Sequence, residues 1–212
     1  MTAHLVLLGD SIFDNAAYVP GGWPVIRLLQ AQLPENAQAS LLAVDGSVTR
    51  QVITQLQRVP AGATHLILSS GGNDALMAAG IAGTRVSTVN EALRELAVIR
   101  ADFRENYRCL LQTAKASGRP TLVCTIYTAI PDLTPELGVT LALFNDVIVD
   151  EAHRAAFPVL DLRQLCDEVG DYSEASSIEP SEAGGQKIAS AIIERIFGKI
   201  SAPAIECQTP QG

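Results

Sequence analysis

The sequence predicts a single-domain, three-layer α/β/α fold around a five-stranded parallel sheet, on three observations. Five short apolar runs recur along the chain, and the longer segments between them carry helical periodicity. Most of the runs do not alternate with polar residues, as expected of strands covered on both faces. With 212 residues and 48% hydrophobic content, the chain can bury one sizeable core. Only 5% of it is aromatic, so that core rests on Leu, Val, Ile and Ala.

The runs are His4 to Leu8, Ser40 to Val44, His65 to Ser69, Thr121 to Tyr127 and Pro158 to Leu162. Trp23 to Leu33 and Thr49 to Leu56 read as amphipathic helices. Val86 to Lys115 is a longer one, with apolar positions at Leu93, Leu96, Ile99, Phe103, Tyr107 and Leu110. Leu141 to Ala156 follows, and Ser181 to Phe197 closes the fold behind a Ser N-cap with Glu182 just inside. Residues 1–200 form one domain in this reading, and 201–212, with Pro203 and Pro210 and no periodicity, read as a flexible tail.

A formal net charge of -8 argues against a nucleic-acid partner, which needs clustered Lys and Arg. Cys109, Cys124, Cys166 and Cys207 are widely spaced, with no Cys-x-x-Cys pair and no nearby His, so neither a metal site nor a disulfide framework is expected. The first apolar run is too short for a signal peptide, and no stretch approaches a membrane span of roughly 20 apolar residues. The expected location is the cytoplasm, with reduced thiols.

Ligands of an open parallel sheet bind at the carboxyl ends of its strands, so residues just after each run can meet. These are Gly9-Asp10-Ser11, Asp45-Gly46-Ser47, Gly71-Gly72-Asn73-Asp74, Thr128 to Asp132, and the loop Asp171 to Pro180. A Ser after a buried strand presents its hydroxyl at the mouth of the sheet. Glycines let backbone N–H groups approach a developing oxyanion, and an Asn side chain donates beside them. Each turn alone is an ordinary glycine-bearing turn; their joint occurrence is specific.

Gly-Asp-Ser at 9–11, the glycine turn at 46 and Gly-Gly-Asn-Asp at 71–74 together resemble the SGNH (GDSL-type) hydrolase superfamily of esterases, lipases and acetyl-esterases. The resemblance runs from His4 to the last helix and implies the flavodoxin-like fold of that superfamily. It implies Ser11 as nucleophile, with the Ser11 N–H, the Gly46 N–H and the Asn73 side chain as oxyanion hole. It also implies acyl transfer to water through an acyl-enzyme, with no metal or other cofactor. The substrate is then a small-molecule ester or acylated carbohydrate, with the oligomeric state left open.

The sequence departs from that family in its fourth motif. The family carries Asp-x-x-His-Pro before the last helix; here the stretch is Ser176-Ser177-Ile178-Glu179-Pro180, with Ser176 for Asp and Glu179 for His. The three histidines do not fill the gap. His4 and His65 begin their strands, on the order of 15–20 Å from the catalytic end at ~3.3 Å per residue. His153 belongs to the helix before the fifth strand and falls at the opposite end of the sheet.

Glu179 is therefore either an unusual base, with its pKa raised by burial and by neighbours such as Asp10, Asp74 and Asp171, or a helix-capping residue paired for example with Lys187. Three functions follow. One is a Ser-dependent esterase or deacylase with an altered triad. Another is a non-catalytic descendant binding an acyl or carbohydrate ligand. The third is a carboxylate-pair glycosidase using Glu179 with Asp10 or Asp74. The oxyanion-hole residues favour the first over the third. Tyr18, Trp23, Ile126, Tyr127 and Ile130 are candidates to line a pocket, with 78–84 as its rim or a plain loop.

Overall fold

A computed structural model describes residues 3–198; the segment read as a tail, 201–212, lies outside them. Five strands, β1 (Ala3–Gly9), β2 (Ala37–Leu41), β3 (His65–Ser69), β4 (Thr121–Cys124) and β5 (Val159–Leu160), form a parallel sheet in the order β2-β1-β3-β4-β5. The order reverses between β1 and β3, which opens a crevice beyond their carboxyl ends.

Successive side chains of β1 enter opposite cores, because a strand alternates faces and both faces here are covered. Leu5 and Leu7 pack with α1 (Val25–Gln32) and α6 (Glu182–Phe197) through Val25, Leu29, Ile188 and Ile192. Val6 and Leu8 pack with α2 (Thr49–Leu56), α4 (Val89–Ala116) and α5 (Pro135–Ala155) through Val52, Leu110 and Ile148. Arg100, Arg104 and Arg108, one turn apart on α4, bind Asp146, Asp150 and Glu151 of α5 and hold the two helices together. Among the described residues, no helix is long and apolar enough to cross a membrane.

Several boundaries differ from the sequence reading. β2 begins and ends three residues early: the Leu42 and Ala43 N–H groups both turn onto the Leu7 carbonyl, and Val44 is exposed. β4 stops at Cys124 because the Asn145 side chain, rather than a neighbouring strand, takes both the N–H and the carbonyl of Ile126, at 2.8 and 2.9 Å. α5 starts six residues before the expected Leu141, at Pro135 behind a Thr134 N-cap. The turn 71–74 opens a helix, α3 (Gly72–Ala78), and the segment after it is a short 3-10 helix, Ala79–Gly83. The loop 171–180 contains an antiparallel pair, β6 (Tyr172–Ser173) and β7 (Ser176–Pro180).

Candidate active site

At the end of β1 the chain passes so close to β3 that only glycine fits. Gly9 has φ +134°, and a Cβ there would lie 1.7 Å from the Ser69 carbonyl oxygen. The Gln55 side chain of α2 accepts from the Gly9 N–H and donates to the Gly9 carbonyl, both at 2.8 Å. The Asp10 carbonyl then accepts from the N–H groups of Phe13 and Asp14, closing a tight turn around Ser11. Ser11 is 6% exposed.

β7 delivers Glu179 to the same place. The residues on either side of it are pinned: Tyr127 donates its hydroxyl proton to the Ile178 carbonyl, and Asn15 donates to the Pro180 carbonyl at 3.1 Å. Asn15 also accepts from the Val25 N–H at 2.9 Å, so one buried amide joins the Ser11 loop, α1 and β7. Both Ser11 and Glu179 line a cleft of about 720 Å³, its open mouth included, with Asp10 and Asn73. The rest of the lining is mainly apolar, contributed by α3, the β4–α5 connection and α5.

The electrostatics of this cleft are set by buried carboxyls. Glu179 is 4% exposed, and its Oε2 atom has no hydrogen-bond partner. Burial pushes its pKa up to about 7; the Ser11 hydroxyl, hydrogen-bonding to the charged form, partly offsets this, and the negative charge of Asp45 adds to it. Asp10, 2% exposed, is also pushed up to about 7, first by burial and then by repulsion from Glu179 and Asp74. A hydrogen bond from the Ile12 N–H to Asp10 Oδ1, 3.2 Å, works against that rise. Asp74 is raised by burial, although the Thr49 N–H and hydroxyl both donate to its Oδ2 at 2.9 Å.

The structure thus brings Asp10, Ser11, Asn73 and Glu179 together, but not every expected residue joins them. Gly46 is exposed, with φ +75°, and lies outside the lining. Its loop is nevertheless tied to the cleft, because the Asn73 amide donates to the Ser47 carbonyl at 3.1 Å. That amide carries two hydrogens, and this bond uses one of them. Ser176 is half-buried opposite Ser173 at the start of β7, outside the cleft.

The pairing of Glu179 with Lys187 is overturned. Lys187 binds Asp171 at 2.8 Å and lies 3.7 Å from both Asp167 and Glu168. Asp171 therefore serves that ion pair and does not line the cleft, and α6 is capped by Ser181, whose hydroxyl accepts from the Gly184 N–H. Ile126, Tyr127 and Ile130 do line the cleft; Tyr18 lies in a separate groove, and Trp23 is exposed beside Arg27. His4 is hydrogen-bonded to Ser40 and His65 to Thr64, at the amino end of the sheet.

Two residues that build the site escaped the sequence reading. Gln55 sits on the inward, apolar face of α2, and a polar residue there is a visible signal of a buried polar contact. Asn15 follows the Ser11 turn in a loop, where Asn is commonplace, and nothing in its spacing marks it as buried.

Three solved structures illustrate the fold. The chain superimposes with TM-score 0.67 on an extracellular lipase from Streptomyces rimosus, at 17% identity, covering 90% of this chain and 98% of that one. It matches the lipase Lip_vut3 from a goat rumen metagenome with TM-score 0.71, at 15% identity over 93% and 99% of the two chains. It matches an acetyl xylan esterase from Geobacillus stearothermophilus with TM-score 0.67, at 17% identity over 94% and 97%. At such identities the likeness is one of fold. No curated protein matches the chain in sequence. The model of one family does match, over residues 7–187, nearly the whole described domain: the chain belongs to the GDSL-like lipase/acylhydrolase family.

Proposed function

We propose that the chain hydrolyses a carboxylic ester, with Ser11 as nucleophile and Glu179 in the role of general base. One observation carries this reading: Ser11, itself buried, lines the same cleft as a buried Glu179 whose Oε2 atom has no partner. A base is judged by its pKa, and a free glutamate at about 4.3 is too weak at pH 7. Raised to about 7, Glu179 comes close to an imidazole, whose ordinary value is about 6.5.

The substitution of the Asp follows from the same charge argument. When imidazole takes the serine proton it becomes a cation, which the triad Asp stabilises. When Glu179 takes that proton it becomes neutral, and a second carboxylate behind it would have no cation to stabilise. Ser176 in place of Asp and Glu179 in place of His are then one coherent change.

In the proposed cycle, Glu179 removes the Ser11 proton as Oγ attacks the ester carbonyl carbon. The Ser11 N–H and the unused Asn73 amide hydrogen face the oxyanion, with the Gly46 N–H added by family resemblance. Glu179, now a carboxylic acid, gives its proton to the departing alcohol. A water then transfers a proton to Glu179 and attacks the acyl-enzyme, and collapse releases the acid and returns the proton to Ser11. The mainly apolar lining suits an acyl chain and weighs against the glycosidase reading, since sugar hydroxyls need polar partners.

The location we retain for the chain is the cytoplasm, supported by the unpaired thiols of Cys109, Cys124 and Cys166. The functional reading is tested with p-nitrophenyl butyrate. Wild-type turnover should disappear in Ser11→Ala. Turnover that survives this substitution contradicts it, and a wild-type protein that turns over no ester favours a binding protein.

A further inference from the structure

The turn 45–47 is pinned on both sides of Gly46, and none of the bonds that pin it uses the Gly46 N–H. On one side, the Asp45 N–H donates to Asp14 Oδ2 at 3.0 Å, and the Tyr18 hydroxyl donates to Asp45 Oδ2 at 2.8 Å. On the other, the Asn73 amide donates to the Ser47 carbonyl at 3.1 Å, and the Gln55 amide to the Ser47 hydroxyl at 3.3 Å. The Ser47 N–H closes the turn onto the Val44 carbonyl at 3.1 Å. Packing does not hold this turn. A Cβ on Gly46 would meet nothing within 4 Å, and Gly46 stands outside the cleft lining, so hydrogen bonds alone set where its N–H comes to rest.

Tyr18 is the arm that reaches across to this turn. It ends a short 3-10 helix, Ala16–Tyr18, where its N–H donates to the carbonyl of the fully buried Asn15 at 2.9 Å. Its own carbonyl accepts from the Ser173 hydroxyl of β6, the strand paired with β7. Tyr18 thus joins three segments: the loop that follows Ser11, the turn of Gly46 and the hairpin that carries Glu179. The hydrogen bond to Asp45 pushes the Tyr18 phenol up to about 12, so the proton that makes the bond stays in place well above neutral pH.

We propose that Tyr18 is a positioning residue: through Asp45 it holds the Gly46 turn so that the Gly46 N–H can donate to the oxyanion formed at Ser11. The inference rests on Ser11 being the nucleophile. A donor held in place before the reaction stabilises the developing charge without reorganising at that moment.

The test measures kcat and KM for p-nitrophenyl butyrate in Tyr18→Phe, Asp45→Ala, the two combined, and Asp45→Asn. An oxyanion donor acts in the transition state, so Tyr18→Phe should lower kcat about tenfold and change KM less than about twofold. Its Tm should fall by no more than about 4 °C, because the bond it loses is exposed. Asp45→Ala should lower kcat at least as much, and the combined variant no further, since both remove one link. Asp45→Asn keeps an acceptor for the hydroxyl and should recover most of the loss.

Tyr18→Phe protein with wild-type kcat, a loss confined to KM, or losses that multiply in the combined variant would overturn the role of Tyr18 and leave Ser11 as nucleophile. Turnover that survives Ser11→Ala, or a wild-type protein that turns over no ester, overturns the nucleophile reading and this assignment with it.

Discussion

Asn15 donates its side-chain amide to the Pro180 carbonyl at 3.1 Å, joining the loop that carries Ser11 to the strand that carries Glu179. The two residues are 165 positions apart in sequence, and Asn15 is fully buried. This bond ties together the two segments between which the proposed proton transfer from Ser11 to Glu179 would run.

Replacing Asn15 with Leu should therefore lower both activity and stability. Two buried backbone groups, the Pro180 carbonyl and the Val25 N–H, lose their partner, at about 1–3 kcal/mol each. Urea unfolding gives the stability change. A fall in kcat of about tenfold or more in the folded fraction is expected, since misplacement by roughly 1 Å has effects of that order or larger.

In the proposed mechanism, the pH dependence of activity follows from Glu179. Its proton must leave before it can act as a base, and burial holds that proton until pH about 7. kcat/KM should rise with pH through a limb near 7, rather than near 4.3 as for an exposed glutamate. Glu179→Gln should remove the limb and lower the plateau by about 10²–10⁴-fold.

Stability should move in the opposite direction. Asp10 and Glu179 keep their protons up to about pH 7 in the folded protein, whereas carboxyls of an unfolded chain lose theirs near pH 4. The folded state binds more protons across that window, so stability falls as pH rises from about 4 to about 7. Asp10→Asn should raise stability at pH 8 by on the order of 1–3 kcal/mol and change little at pH 4, as urea titrations at the two values would measure.

Lys187→Met should lower Tm, because it strips the buried Asp171 carboxylate of its cation. The activity limb near pH 7 should stay where it is, since Lys187 serves Asp171 and not Glu179. A shifted limb would tie Lys187 to the site after all.

Gly9→Ala should abolish folding or lower stability by more than about 3 kcal/mol, measured as soluble yield and Tm. Its Cβ has no room against the Ser69 carbonyl oxygen, and the backbone there is left-handed.

Much of this architecture is written in local pattern. β3 is an apolar run flanked by polar residues, and α2 a short amphipathic repeat; both appear in the structure with the bounds expected from sequence. The sequence places β2 three residues late because Leu41 to Val44 is as apolar as a strand, while the pairing register with β1 ends at Leu41. The apolar run extends past the end of β4 because the clamp on Ile126 comes from Asn145, nineteen residues away. Of the candidate site, Ser11 and Asn73 are legible from turns at strand ends and Glu179 from its place in the family's fourth motif, and all three line one cleft. Gly46 stays outside its lining, because where a loop comes to rest depends on tertiary bonds such as that from Asn73 to Ser47. Asn15, whose partner lies 165 residues away, could not be found from spacing.

Labelling by a fluorophosphonate is the decisive measurement on Ser11 as nucleophile, because the reagent reports whether the hydroxyl is activated without requiring the natural substrate. Ser11 Oγ would bond to phosphorus, fluoride would leave, and Glu179 would take the proton. The expected result, read by mass spectrometry, is a single label on Ser11 whose rate rises with pH around 7 and falls at least about 100-fold in Glu179→Gln. An unlabelled Ser11, or a Glu179→Gln protein labelled as fast as wild type, would contradict it.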